Sequence, residues 1–408
     1  MDIIEPLVDA LEVDYENMGY IEFSDMLSKG VQAVRNHKTD GQFRLILVDE
    51  FQDTARLKMA LVNALANHPD LQSDSQKPII FMVGDDWQTI NRFSGSDVDI
   101  FKSYVSPASA KQNGIEYCEA TEDGRLTHIV RLVETYRSAQ GIADVARASV
   151  LKNTRQIDKE VKALNKETED TIRIVPHLDN AEARQNALLG ELEVIAKLSP
   201  ICNKPDDRVS VFILTRNRKE TVRPEGITKA YINQLTRQFK SRLVITHNTM
   251  HSSKGLEADY TILPGIDEGY KGFPSTMTND PLFDLVLPFI EDPLEEERRL
   301  FYVALTRSKK RTIILTAATR PSRYVLEFRE MSELRHHFDW VTLGGIKFDP
   351  VTCPSCQTGI LVKKYSNVEC TCYPICSYKI EATEHVDVVS EGELEEMVLK
   401  AATAECNI

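Results

Sequence analysis

Two adjacent carboxylates, Asp49 and Glu50, close the apolar run Leu45-Ile46-Leu47-Val48 and lead into Phe51-Gln52-Asp53-Thr54. A short apolar run of this kind reads as a buried strand, which sets both acids at its carboxyl end, the edge where α/β folds bind ligands. There the first acid can hold Mg²⁺ and the second can orient a water for attack on a phosphate. A bare Asp-Glu pair is most often a solvated strand end. The whole string from Leu47 to Thr54, followed by an amphipathic segment, shifts the reading to chemistry. Gln52 and Asp53 then read as the polar groups that link the pair to the rest of the fold.

Four further blocks carry groups suited to the same chemistry. In Val83-Gly84-Asp85-Asp86-Trp87-Gln88, Gln88 could sense a γ-phosphate or its attacking water, and Phe93 just beyond could stack on a base. A lone Phe would more often be core; the neighbouring Gly-Asp-Asp-x-Gln favours the stacking role. Glu134-Thr135-Tyr136-Arg137-Ser138 reads as the opening of a helix, where Arg137 can grip a phosphate in bidentate fashion. In Thr249-Met250-His251-Ser252-Ser253-Lys254-Gly255-Leu256-Glu257, His251 and Lys254 can contact DNA phosphates or the coupling network, and Glu257 can accept from a ribose hydroxyl. The acid-then-base run from Glu295 to Lys309 ends on Arg307, a candidate arginine finger one turn beyond the apolar face.

The elements that must position these groups follow from periodicity. Residues 1–40 look helical, with Phe23, Met26, Leu27, Val31 and Val34 on one buried face. Strands at 45–48 and 79–83 flank a helix over 55–67, and residues 106–124 form a polar connection. A second α/β pattern predicts helices over 135–151, 179–197 and 295–306, with strands at 209–214, 243–246, 260–263 and 312–315. Residues 267–293 read as a long loop. The expected division is 1–124, 125–345, 346–380 and an acidic tail, 381–408, in which Ser390 and Glu393 would cap a short helix.

The net charge of −13 is poor for a nucleic-acid binder, yet residues 381–408 alone hold eight acids against one Lys. Local basic patches on the body can still track phosphates. No apolar run approaches the ~18 residues of a membrane span, and the N-terminus has no charged-then-apolar leader, so a soluble cytoplasmic protein is expected. Five of the eight cysteines fall between Cys353 and Cys376, the clustering of a metal site rather than a secreted disulfide framework.

Taken together, the five blocks resemble the motifs of UvrD/Rep-like superfamily 1 DNA helicases over roughly residues 20–320. The resemblance implies an α/β fold of two RecA-like parallel-sheet domains, the first incomplete, that uses ATP to step 3′→5′ along single-stranded DNA and open junctions with duplex. It implies Asp49 for Mg²⁺, Glu50 as catalytic base, and Gln88, Arg137 and Arg307 at the γ-phosphate. Glu257 falls near the sugar, with His251, Lys254 and Phe93 on the DNA side. Three departures stand out. No G-x-x-x-x-G-K-[ST] phosphate loop is present, since none of the eighteen glycines precedes a Lys. Asn91 stands where the family commonly has Tyr, and the interval from Arg137 to Thr249 has no room for the accessory 2B domain. The chain is therefore expected to be inactive alone, with the loop supplied by an upstream segment or a separate chain. The competing expectation is a catalytically dead DNA-binding or regulatory protein.

The cysteine segment resembles the small zinc fingers of bacterial type IA topoisomerases, which implies a zinc ribbon. That resemblance assigns Cys353, Cys356, Cys370 and Cys376 as ligands of a structural Zn²⁺, with Cys372 open as an alternative to Cys370. Four Lys against two acids over 346–380, with Tyr365, Tyr373 and Tyr378, are compatible with single-stranded DNA contact.

Overall fold

The computed structural model describes residues 5–38, 43–68, 71, 78–105, 130–201, 207–218, 224, 226–269, 272–275, 294–341, 353–355, 361–364, 367–370 and 376–381. Two compact units divide them, one up to Val130 and the other from Arg131. Among the described residues no helix is long and apolar enough to cross a membrane. The 106–124 connection, most of the 267–293 loop, Cys356, Cys372 and the capped helix of the tail lie outside the described residues.

In the first unit, α1 (Glu5–Met18), α2 (Phe23–Arg35), α3 (Arg56–Ala66) and α4 (Val98–Val105) accompany two parallel strands, β1 (Leu45–Val48) and β2 (Ile79–Met82). Helices α2 and α3 meet through Val31, Val34 and Ala64, with Leu61 and Leu65 packed against them. Phe23 and Met26, expected on that face, are exposed. The helical period continues through them, but the cluster with α3 is built only around the second half of α2. Nor are β1 and β2 buried on both sides as expected: each alternates exposed and half-buried residues.

The second unit is built on a six-stranded, all-parallel sheet. Its strands are β5 (Ile172–His177), β6 (Val209–Thr215), β7 (Leu243–Thr249), β8 (Ala258–Pro264), β9 (Ser308–Ala317) and β10 (Phe338–Trp340), in the order β10-β5-β9-β8-β6-β7. Leu188, Leu192 and Ile195 of α6 (Ala181–Leu198) pack onto Val211, Ile213, Ile313 and Leu315 of the sheet. Asn180 starts that helix by accepting the Ala183 amide at 2.8 Å, satisfying one donor of its first turn. The helix expected over 135–151 is split. Glu134–Thr135 form a short strand, β3, paired with β4 (Lys162–Ala163), and α5 runs only from Gln140 to Val150. Backbone pairing of Thr135 with Ala163 outcompetes helix at that point. Past the carboxyl ends of β5, β8 and β9, Arg184 meets Asp179 at 3.1 Å and Asp267 at 3.3 Å, and Arg320 clasps Asp179. This edge is closed by ion pairs.

The remaining elements are α7 (Lys229–Gln238), α8 (Leu294–Leu305), α9 (Arg323–Glu330) and an antiparallel trio, β11 (Leu361–Lys364), β12 (Asn367–Cys370) and β13 (Lys379–Glu381). Replacing the fully buried Leu192 by Ala should lower the stability of the second unit by about 2–5 kcal/mol. Urea unfolding is the measurement, and a loss under about 1 kcal/mol would contradict the packing described.

Candidate functional site

At the end of β1 the chain turns through Glu50 with φ 47° and ψ 46°, a left-handed conformation uncommon for a residue with a Cβ. The Glu50 amide donates to Asp49 Oδ1 at 2.9 Å, and the Phe51 amide donates to the Val83 carbonyl at 2.8 Å. The buried Gln52 donates its side-chain amide to the Glu50 carboxylate and accepts the Asp85 N–H at 2.9 Å. Asp85 in turn accepts the Trp87 amide at 3.0 Å and the Gln88 side-chain amide at 2.7 Å. Thus Glu50, Gln52, Asp85 and Gln88 form one hydrogen-bonded chain across the carboxyl ends of two neighbouring strands. Buried Trp87 and Ile90 anchor its far end. Gly84 makes room for it, since a Cβ there would lie 2.7 Å from Gln52 Oε1 and 2.8 Å from Phe101 Cε2. Asp53 contributes its backbone carbonyl, which accepts from Ser96 Oγ at 3.1 Å. Two carboxylates side by side are hard oxygen donors of the kind Mg²⁺ takes. Asp49 is oriented by the Glu50 amide and Glu50 by the Gln52 side chain.

In the second unit Arg137, Glu257, Arg307 and Lys309 converge at the amino edge of the sheet. The Ala139 amide donates to the Lys309 carbonyl at 3.1 Å, and Ser138 Oγ donates to the Thr306 carbonyl at 3.2 Å, which pins the segment bearing Arg137 beside the start of β9. Arg137 therefore sits in a bend rather than at a helix start. Its Nε reaches Glu257 Oε2 at 3.3 Å, while Lys309 Nζ reaches Glu257 Oε1 at 2.7 Å. The hydrogen bond from Lys309, aided by Arg137, holds the Glu257 carboxyl below its ordinary range. Arg307 departs from the expected finger geometry. Its side chain is fully buried, with Nε donating to the Val303 carbonyl at 2.9 Å and Nη1 to the Leu256 carbonyl at 3.4 Å. The Val303 carbonyl in the last turn of α8 and the Leu256 carbonyl just before β8 capture the guanidinium.

On the expected DNA side, Phe93 lies on a short 3₁₀ turn and is 69% exposed, so it is surface and not core. His251 sits on a second 3₁₀ turn just past β7, and Lys254 ends that turn. Burial, with Arg216 nearby, pushes the His251 imidazole down from 6.5 to about 4. A phosphate would meet it as a neutral ring.

Sequence reasoning passed over three residues. Asp85 relays Gln52 to Gln88, and its signal was available: an Asp that accepts the amide two residues on is a turn former. Tyr136 is 75% exposed beside Arg137, with its hydroxyl donating to Glu134 at 3.1 Å. Lys309 had no local signal, because its carboxylate partner is remote in sequence.

In the ribbon, Cys353, Cys370 and Cys376 are buried, and their sulfurs lie within 4.8 Å of one another. The Cys353–Cys376 Sγ separation of 3.9 Å compares with about 3.8 Å for tetrahedral ligands at a 2.3 Å Zn–S bond. The thiols therefore fit a metal, and Cys370 is among them.

A parallel sheet with acids on one strand edge, and a second with guanidiniums on its own, is nucleotide-handling α/β architecture. Comparison with known proteins narrows this. The UvrD/REP helicase N-terminal domain matches residues 2–108, and the UvrD-like helicase C-terminal domain matches residues 227–319. DNA helicase IV of Escherichia coli is 32% identical over 79% of this chain and 41% of its own length. A probable DNA helicase of Mycoplasma pneumoniae is 26% identical over 69% of this chain and 46% of its own. The chain thus carries UvrD-like helicase N- and C-terminal domains over those residues, and it spans less than half the length of these relatives.

The His251 shift sets a pH dependence. An imidazole whose folded pKa is depressed binds protons more weakly than in the unfolded chain. Its stabilising share is full above 6.5 and is lost as pH falls toward 4. The loss should amount to at most about 3 kcal/mol. Unfolding followed between pH 7 and 4 should show a shallower slope in His251→Gln than in the parent; equal slopes would remove His251 from the account.

Proposed function

We propose that this chain is part of an ATP-dependent DNA helicase that moves 3′→5′ on single-stranded DNA and opens single-strand/duplex junctions in the cytoplasm. The observation that carries this reading is the chain Glu50–Gln52–Asp85–Gln88, which couples a candidate general base to a side chain suited to a phosphate. Bound ATP with Mg²⁺ would supply the anhydride whose cleavage drives movement. Asp49 holds the metal ion, and Glu50 takes the proton of the attacking water, kept in place by Gln52. Gln88 orients that water, Arg137 and Arg307 bring positive charge to the phosphates, and Glu257 accepts from the ribose hydroxyl. Phe93 stacks on a base, Lys254 meets a phosphate, and His251 offers a neutral hydrogen bond.

The phosphate loop comes from an upstream segment or a separate chain, so these 408 residues by themselves hydrolyse no appreciable ATP. The buried Arg307 guanidinium favours a second reading for the chain on its own, DNA binding without hydrolysis. The deciding experiment joins the strand–phosphate loop–helix segment of E. coli DNA helicase IV ahead of this chain in one polypeptide. Single-stranded DNA should stimulate its ATP hydrolysis, and Glu50→Gln should lower the rate at least about 100-fold. A fusion whose rate is indifferent to E50Q, or that hydrolyses nothing, defeats the reading.

The thiol cluster holds a structural Zn²⁺ through Cys353, Cys370 and Cys376, with Cys356 as the fourth ligand. Metal analysis of the purified protein should find about one zinc per chain. Cys353→Ser should release it and loosen the β11–β13 sheet while leaving the unfolding of the six-stranded sheet unchanged; a full complement of zinc in that variant would refute the assignment.

A further inference from the structure

Glu297 stands in the first turn of α8, and its buried carboxylate lies across the carboxyl end of β6. Arg216, the first residue past that strand, grips it through one edge of its guanidinium. Nε donates to Oε1 at 2.9 Å and to Oε2 at 3.2 Å, and Nη2 donates to Oε1 at 2.6 Å. Oε2 also accepts the Ser275 amide at 2.9 Å, which fixes the carboxylate from another side. A forked pairing of this kind sets the orientation of a guanidinium as well as its place. It adds little net stability, because removing both charges from water offsets their attraction. Its effect is direction.

That direction matters because of what stands beside it. The Thr215 carbonyl accepts the Met250 amide at 2.9 Å, so Arg216 and His251 leave the ends of the paired strands β6 and β7 as neighbours. They are close enough for the guanidinium to act on the imidazole. Thr215 Oγ1 donates to the Asn217 carbonyl at 3.1 Å and closes the turn on which Arg216 sits. Glu297 engages Nε and Nη2, which leaves Nη1 without a hydrogen bond among the described residues, on a side chain still 26% exposed. His251 meets an anion as a neutral ring, so Arg216 supplies the positive charge beside it.

Resting on the function proposed above, we infer that Glu297 is a positioning residue for single-stranded DNA. It acts through Arg216, holding the guanidinium with Nη1 open to a phosphate beside His251, and touches no DNA itself. The alternative for a paired acid is plain neutralisation of Arg216, and the two roles differ in sign.

Binding of a fluorescein-labelled oligothymidylate to the 408-residue protein, followed by anisotropy between about 50 and 200 mM salt, is the test. Glu297→Gln removes one negative charge from a chain of net charge −13, so loss of a merely neutralising acid would tighten binding. Loss of a positioning acid does the opposite. E297Q should weaken binding about tenfold and flatten the dependence of log affinity on log salt by about 0.7, one phosphate contact. In an Arg216→Ala background the same change should have no further effect, since the two residues act as one unit. Arg216→Lys keeps the charge and loses the fork, so it should bind about as weakly as R216A, and it carries the test if E297Q does not fold. Unchanged or tighter binding in E297Q, a further loss when E297Q is added to R216A, or the parent's affinity in R216K overturns the inference while the DNA reading stands. A parent that binds no oligothymidylate defeats the DNA reading, and the inference falls with it.

Discussion

Parallel strands must keep their flanks dry, and that constraint leaves only their ends free for chemistry. The rest of the arrangement follows from it. In the first unit the carboxyl ends of β1 and β2 deliver Glu50 and Asp85 close enough for Gln52 to join them. The left-handed turn at Glu50 is needed because the chain must leave the strand at once and still present two successive carboxylates. A side chain on Gly84 would push Gln52 away, so the connection depends on a residue with no chemistry of its own.

In the second unit the candidate residues stand at the other edge. Carboxyl ends are the usual place for ligands in open α/β sheets. Here the carboxyl ends of β5, β8 and β9 are closed by Asp179, Arg184, Asp267 and Arg320, whereas Arg137, Glu257 and Lys309 stand at the amino edge. The segment from Met250 to Glu257 has to cross from one edge to the other, from the end of β7 to the start of β8 with β6 between them. At about 3.3 Å per residue that is roughly 20 Å along the strands. Eight residues, three of them in a 3₁₀ turn, have little slack for it. Gly255, at φ 79°, takes the one left-handed step along the way. His251 and Glu257 therefore lie near opposite ends of one extended segment.

Much of this was legible in the sequence, for specific reasons. β6, β7, β8 and β9 each hold a short apolar stretch, Val211–Leu214, Leu243–Ile245, Ile262–Leu263 and Ile313–Leu315, and the helix at Ala181–Leu198 spaces Leu188, Leu192 and Ile195 along one buried face. β5 escaped notice because Arg173, Pro176 and His177 interrupt its apolar residues, yet its place between β9 and β10 buries it all the same. The strand at Glu134–Thr135 escaped because its pairing with Lys162–Ala163 leaves no local trace. Phe23 and Met26 satisfied the helical period without a partner to bury them, since amphipathic spacing says which face would pack and not how far a neighbour extends. Residue types at the candidate sites were readable. Their mutual contacts were not, because each depends on strands brought together from distant parts of the chain.

Arg307 shows what reading by type alone leaves out. Its guanidinium is held by the carbonyls of Val303 and Leu256 in a fully buried position. Breaking hydrogen bonds to a buried charge costs on the order of 1.5–3 kcal/mol each. Arg137 and Lys309 are partly exposed, and their pairings with Glu257 are of a class worth about 1 kcal/mol or less. An anion arriving at this edge therefore displaces the Glu257 carboxylate from Arg137 at small cost, long before it can draw out Arg307. The order follows from burial: Arg137 answers first. Arg307 must first give up its bonds to Val303 and to Leu256, and Leu256 lies on the segment that begins beside His251.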